Sequence, residues 1–417
     1  MILFTLYIDP GTGGMLFSIV IGVIAAVFFA LQALYIKTKS FFTSGKAKFG
    51  AKNKFVIYAE DKRYWTLFKP IVEEFEKRSI DILYLTSSND DPVFDSCFTH
   101  IKPELLGEGN KAFARLNFLS ADFVLSTTPG LDVYQWKRSK NVKHYCHIRH
   151  SADEPVKYEM FGMDYFDSIL VSGKDFQQED IQKLEKLRNL PSKQIITTGC
   201  PYLDEYEKKM QEIPEEENHV FTVLVSPSWG SSALLSKYGE NLLDPLVKTN
   251  WRIIVRPHPQ SMIVEKYLIE KLSNYYTDKE NLVWDFESDN IYSLKKADVM
   301  ISDFSGIILD YMFLRGKPVI YVKEKLDWRA KDAYDLYEDQ EDMWTFRNLK
   351  KTGIELKPEL FEKLPEIIFA SSTDSILEGA IKEVKDEAWC FRGDAGKVTA
   401  DFMIKTAGSL SLEANNE

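Results

Sequence analysis

From residue 55 onward, short apolar runs rich in Val, Ile and Tyr alternate with amphipathic charged stretches. That alternation builds parallel sheets covered by helices. Runs at 55–59, 82–85, 123–126, 145–148, 168–171 and 195–198 predict the strands of a first α/β domain, with helices over 64–78 and 175–188. A polar, acidic stretch at 206–218 contains Pro214 and has almost no apolar periodicity, which reads as an interdomain linker. The alternation then restarts, with strands predicted at 221–225, 251–255, 282–284, 299–302 and 319–322 and helices at 240–249, 263–274, 291–297 and 307–315. The expected fold class is α/β, with two Rossmann-like domains at 54–205 and 219–405 and a cleft between them. The carboxyl ends of the strands are the expected ligand face. The segment 325–417 reads as capping helices.

Before this body lies a different pattern. Residues 15–36 carry no charged side chain, and a helix of that length spans the roughly 30 Å of a bilayer core. No Lys or Arg precedes the run, whereas Lys37, Lys39, Lys46, Lys48, Lys52 and Lys54 follow it. Cytoplasmic flanks carry the excess of cations, so the run predicts a single-pass anchor within 1–45, N-terminus outside and body on the cytoplasmic side of a cell membrane. It has neither a basic n-region nor a small-residue cleavage site, which fits a retained anchor and not a removed signal. The apolar stub 1–8 and the turn Asp9-Pro10-Gly11-Thr12-Gly13-Gly14 before it are too short to cross, and read as interfacial or re-entrant.

Composition narrows the classes of function. The net charge is −11 despite the basic juxtamembrane segment, so the body is acidic and offers no broad cationic face for nucleic acid. Cys97, Cys146, Cys200 and Cys390 have no CxxC spacing, which fits reduced thiols and gives no zinc ribbon.

Candidate chemistry gathers in loops that follow predicted strands. After the strand ending at Ser302, the loop Asp303-Phe304-Ser305-Gly306 leads into a helix, placing free backbone N–H groups beside the Ser305 hydroxyl in a site suited to a diphosphate. Asp303 is placed to cap that turn. Arg256-Pro257-His258-Pro259 sets a guanidinium and an imidazole at another strand end, stiffened by two prolines. Ser226, Ser228 and Trp229 follow the first strand of the second domain. Three such loops after strands of one domain converge on one sheet edge.

In the first domain, His144, His147 and His150 crowd the strand at 145–148 and the loop after it. An imidazole there suits a general base, oriented by Asp153 or Glu154. A metal site competes, but a spacing of three on a strand points successive side chains to opposite faces.

Four motifs, Thr198-Gly199-Cys200-Pro201-Tyr202-Leu203-Asp204, Ser226-Pro227-Ser228-Trp229, Arg256-Pro257-His258-Pro259 and Ser302-Asp303-Phe304-Ser305-Gly306 with Gly316-Lys317-Pro318 beyond it, together resemble the ordered set of the CDP-glycerol glycerophosphotransferase family. That family includes teichoic acid primases and polymerases. The resemblance covers about residues 120–325 and implies a GT-B-like fold, with the donor in the second domain and the acceptor and base in the first. It places the family's Arg-x-His-Pro on Arg256 and His258, its diphosphate loop on Ser302 to Gly306, and its catalytic histidine on His150, with His147 in reserve. Four positions depart: Ser151-Ala152 replaces Gly-Thr, and Gly230 and Tyr202 replace arginines.

The expectation is therefore a membrane-anchored transferase. It moves glycerol phosphate, or a related polyol phosphate or sugar, from a CDP- or UDP-linked donor to a glycan or lipid-linked acceptor in envelope polymer synthesis. His150 and His258 are its catalytic residues, Ser226, Ser228, Trp229, Arg256, His258, Ser302, Asp303, Ser305 and Gly306 bind the donor, and neither metal nor cofactor is expected. Two alternatives share the architecture: a UDP-sugar 2-epimerase-like enzyme, and a non-catalytic scaffold that binds nucleotide or assembly partners.

Overall fold

The computed structural model describes residues 53–416 apart from 288 and 372–374. The expected anchor at 1–45, with its span at 15–36, lies outside the described residues. Among the described residues, no helix is long and apolar enough to cross a membrane.

Two wholly parallel sheets form the body. The first holds β1 (Asn53–Ala59), β2 (Ile82–Thr86), β3 (Ile101–Leu105), β4 (Ser120–Ser126), β5 (Asn141–Ile148), β6 (Ser168–Val171) and β7 (Gln194–Thr197), in the order β3-β2-β1-β4-β5-β6-β7. The second holds β8 (Thr222–Val225), β9 (Arg252–Val255), β10 (Leu282–Trp284), β11 (Val299–Ser302), β12 (Val319–Tyr321) and β13 (Gly353–Glu355), in the order β10-β9-β8-β11-β12-β13. In each sheet the chain lays strands to one side of the first strand and then crosses to the other. The reversal lies between β1 and β4 in one lobe and between β8 and β11 in the other.

The central strands are buried on both faces, which explains their unbroken apolar runs: all but the first residue of β4 and every residue of β8 are buried. The edge strands β3 and β13 escaped the pattern because they lack it. β3 is Ile-Lys-Pro-Glu-Leu, with only Ile101 buried, and its Pro103 suits an edge position.

The expected linker at 206–218 is corrected in its first half. The helix Pro201–Glu212 runs through it, started by Pro201 in the first turn and seated by Leu203 and Met210. Its polar residues misled because few of its side chains are core-facing. That helix joins the lobes: Cys200, Leu203 and Phe176 share one apolar cluster with Leu224, Ile254, Met312, Trp344 and Trp389. Trp344 stacks on Phe176 with centroids 4.1 Å apart.

The chain also ends on the first lobe and not on the second, where the range 219–405 would put it. The helix Ala395–Asn416 lies on Trp65–Lys77, with Ala400, Met403 and Ala407 joining the cluster of Phe55, Phe68 and Phe123. The approach is close enough that a Cβ on Gly396 would fall 2.6 Å from the Pro70 carbonyl. Gly396→Val should therefore lower stability by roughly 1–3 kcal/mol through overpacking, read as a fall in the denaturant midpoint. A wild-type midpoint would mean that the terminal helix does not hold this seat.

Candidate active site

The three loops expected to grip a donor meet at the reversal in the second sheet, since β9, β8 and β11 are neighbours. Their backbone is fastened by groups expected to face the ligand. Asp303 is 2 % exposed, and its carboxylate accepts N–H bonds from Ser228 (2.9 Å), Leu234 (2.9 Å), Phe304 (2.7 Å) and Ser305 (3.2 Å). Burial pushes its pKa up, and the four N–H donors oppose that rise. Ser302 Oγ donates to the Ser226 carbonyl at 2.6 Å, and Ser226 Oγ to the Arg256 carbonyl at 3.5 Å. Arg256 turns away to Asp285, at 2.6 Å, and to the Glu287 carbonyl, also at 2.6 Å. Through these bonds the four residues fasten the three loops to one another and shape the site.

Other groups at the same sheet edge remain presentable. Trp229 is 45 % exposed and lies 6.3 Å, centroid to centroid, from the His258 ring. The Gln260 N–H donates to His258 Nδ1 at 3.1 Å, so the neutral ring carries its proton on Nε2 and is a donor there. Burial and the Arg63 guanidinium hold the His258 pKa below its usual value. Ser305 is half-buried and Gly306 exposed at the start of the helix Ile307–Arg315, where the first N–H groups have no intrahelical acceptor.

In the first lobe, His150 follows β5 and its Nδ1 is hydrogen-bonded to Thr127 Oγ1 at 2.8 Å and to the Tyr158 hydroxyl at 2.9 Å. These two hydroxyls orient the ring. Asp153 does not: its carboxylate binds Arg149 at 2.7 Å and the Ser151 hydroxyl at 2.6 Å. Glu154 does not either, being fully buried and bonded to Thr345. Burial, with Arg149 and Arg63 nearby, pushes the His150 pKa down to about 4, so the imidazole is neutral across the physiological range. Arg63 thus acts on both imidazoles.

His150 lines a cavity of 740 Å³ at the reversal in the first sheet, between the loops after β1, β2, β4 and β5. Gln260 and Lys331 close it from the other side. Gln260 is two residues beyond His258, so the two histidine loops border one space.

His147 has no place there. It is fully buried, its ring packs edge-on to Tyr158 at 5.3 Å, and neither ring nitrogen has a partner. The reserve role expected for it is corrected: a side chain sealed from the cleft cannot reach an acceptor. His144 bonds Ser168 at 2.8 Å and stacks on Phe123. Among the described residues, no cluster of three or more His, Cys, Asp or Glu could hold a metal ion.

With this geometry in view, the comparisons decide the family. Residues 147–361 match the family model described as CDP-Glycerol:Poly(glycerophosphate) glycerophosphotransferase. The chain belongs to that family. It is accordingly a glycerophosphotransferase-like transferase. No protein with a curated description matches the chain in sequence. Among solved structures, the wall teichoic acid polymerase TagF is similar with a TM-score of 0.59, at 14 % identity, over 93 % of this chain and 98 % of that one. A putative UDP-N-acetylglucosamine 2-epimerase from Listeria monocytogenes gives 0.55 at 13 % identity, over 83 % and 94 %. The UDP-GlcNAc 2-epimerase from Neisseria meningitidis gives 0.51 at 12 % identity, over 85 % of this chain and 100 % of that one. At these identities the likeness shows the fold: two parallel sheets in a GT-B-like arrangement.

Sequence reasoning missed Arg63, Thr127 and Tyr158. The first two had a signal, since Asp61-Lys62-Arg63 and Thr127-Thr128-Pro129-Gly130 are polar loops after strands, like those singled out in the second domain. Tyr158 lies in irregular chain with no such signal.

The buried histidines make stability pH-dependent. Unfolded histidine titrates near 6.5, whereas His147 is held well below that and His150 at about 4. As pH falls below about 6.5 the unfolded chain binds protons that the folded chain refuses, so stability present at neutral pH is lost, His147 alone contributing up to about 1.4 kcal/mol per pH unit. Asp310, which burial raises to about 7, and Asp332, raised to about 6, bind protons in the folded chain over the same range and oppose that loss, so the histidine's share is read as a difference: between pH 7 and pH 5 the melting temperature of His147→Phe should fall less, or rise more, than that of the wild type. Equal slopes for the two proteins would refute the assignment.

Proposed function

We propose that this transferase moves glycerol phosphate, or a related polyol phosphate or sugar, from a CDP- or UDP-linked donor to a hydroxyl of a glycan or lipid-linked acceptor. The observation that carries the reading is the shared space: His150 lines the cavity that Gln260, beside His258, closes. In the CDP-glycerol case the acceptor oxygen attacks the glycerol-bearing phosphorus while the bond from that phosphorus to the bridging oxygen breaks. The acceptor proton passes to His150 Nε2, and CMP leaves with the bonding pair.

Each side chain has a task consistent with its protonation. Neutral His150, with Nδ1–H donating to one of its two hydroxyl partners, offers an unprotonated Nε2 to the acceptor. His258 Nε2–H, the Ser305 hydroxyl and the N–H groups opening the helix Ile307–Arg315 stabilise the charge growing on the departing nucleotide. Ser228 and Trp229 border the same donor site. No cofactor enters the scheme.

The uncharged run 15–36 and the lysines after it support a single-pass tether holding the body on the cytoplasmic face of the membrane, where nucleotide-linked donors and lipid-linked acceptors meet.

His150→Ala and His258→Ala should each lower turnover by at least about 10²-fold, the usual worth of one acid–base or charge-stabilising group. His150→Ala should retain CDP binding by calorimetry, because it lies in the opposite lobe. Near-normal CMP release by both variants in the presence of a working acceptor would remove this mechanism.

A further inference from the structure

The cavity beside His150 has walls unlike those of a polyphosphate site. Its cations are largely matched: Arg63 Nε lies 2.9 Å from Asp61, and Lys157 Nζ lies 3.4 Å from Asp153 and 3.1 Å from the Thr345 hydroxyl. Glu60, Glu108 and Glu159 also line it, and among the described residues none of the three has an ion-pair partner. Lys331 is the remaining wall cation. Burial, with Asp61 and Glu159 nearby, raises the Glu60 pKa, as expected where carboxylates share a confined space. A phosphate-bearing chain end entering here meets like charge.

The rest of the lining is aromatic. The Tyr64 ring lies 5.1 Å from the His150 ring, directly beside the proposed base. Tyr134 is 42 % exposed and folds over Gly130, whose φ of +85° and lack of a Cβ let the ring lie where a Cβ would come within 2.2 Å of it. Trp136 is 1 % exposed, lines the cavity, and its indole Nε1–H has no hydrogen-bond partner. At 740 Å³ the space falls within the range of small-molecule sites, about 300–1,000 Å³.

We propose that this cavity receives the uncharged sugar end of a glycan acceptor and disfavours a phosphate-bearing polymer end. The carboxylates accept hydrogen bonds from sugar hydroxyls, and the aromatic faces cover the apolar C–H faces of the ring. A phosphodiester has no hydroxyl on its charged group to offer these acceptors, and the negative faces of the aromatic rings do not attract it. The proposal rests on the transfer reading in taking His150 as the base that faces the acceptor.

Binding can be measured without turnover, which separates the two. The full chain in detergent is titrated by saturation-transfer NMR with chitobiose, cellobiose and maltose as uncharged probes and with tri(glycerol phosphate) as the polyanion, while CDP binding is followed by calorimetry. At least one disaccharide should bind at least about tenfold more tightly than tri(glycerol phosphate). Tyr134→Ala and Glu108→Gln should each weaken that disaccharide by about tenfold, the worth of one contact or hydrogen bond to a charged group. The double variant Glu108→Lys/Glu159→Lys should bring tri(glycerol phosphate) binding up. Unchanged CDP affinity and melting temperature establish that the variants are folded. Binding of tri(glycerol phosphate) as tight as that of every disaccharide, absence of any disaccharide binding, or variants without effect would each overturn the proposal. Loss of CDP binding with disaccharide binding intact would strike the transfer reading alone.

Discussion

In a parallel sheet every strand ends on the same side, and where the strand order reverses, two neighbouring loops must leave in opposite directions. The crevice so formed is a topological necessity and not a product of any single residue. This chain contains two such reversals, between β1 and β4 and between β8 and β11, and both house the candidate chemistry. Register then sets which residues arrive there. Because Tyr58 pairs with Ser126 and Ser126 with His147, the segments Glu60–Arg63, Thr127–Gly130 and Arg149–Ser151 emerge side by side.

The crevices become a site only if their loops are held. In the second lobe that work falls to Asp303, whose buried carboxylate gathers four N–H groups from three stretches of chain. In the first lobe His150 is held by hydroxyls, Thr127 from the loop after β4 and Tyr158 from the chain after β5. The difference suits the two roles: a buried carboxylate fixes backbone donors in place, while neutral hydroxyl partners orient the imidazole without supplying a charge. An apolar cluster shared by both lobes, with Trp344 stacked on Phe176, makes the separation of the two crevices a property of the core. Ion pairs reinforce it, Arg188 reaching the fully buried Asp332 at 2.7 Å and Asp335 at 2.6 Å.

Much of the fold was legible because doubly buried strands leave a strong local signature. The helix Ile307–Arg315 and the strands Leu282–Trp284 and Val299–Ser302 fall where the periodicity placed them. The exceptions share a physical cause. The edge strands β3 and β13 are too exposed to read as apolar, and Pro201–Glu212 is a helix whose burial is shared between two lobes, so no single stripe dominates its sequence. At the candidate site, residue type in a loop does not say which hydrogen bonds a side chain makes. Ser226, Arg256, Ser302 and Asp303 carry ligand-binding chemistry by type, and the structure shows that they also hydrogen-bond within and between the loops.

The sequence by itself determined the element alternation, the three polar loops that must converge beside β8, and through its ordered motifs the family, because each of these is encoded within a few consecutive residues. Tertiary structure alone decided that Arg63 serves two histidines from different lobes, that Tyr158 and Thr127 orient His150 in place of Asp153, and that the terminal helix returns to the first lobe. Those outcomes depend on contacts between residues far apart in the chain, where the energy of burial and hydrogen bonding is settled by packing and leaves no local pattern to read.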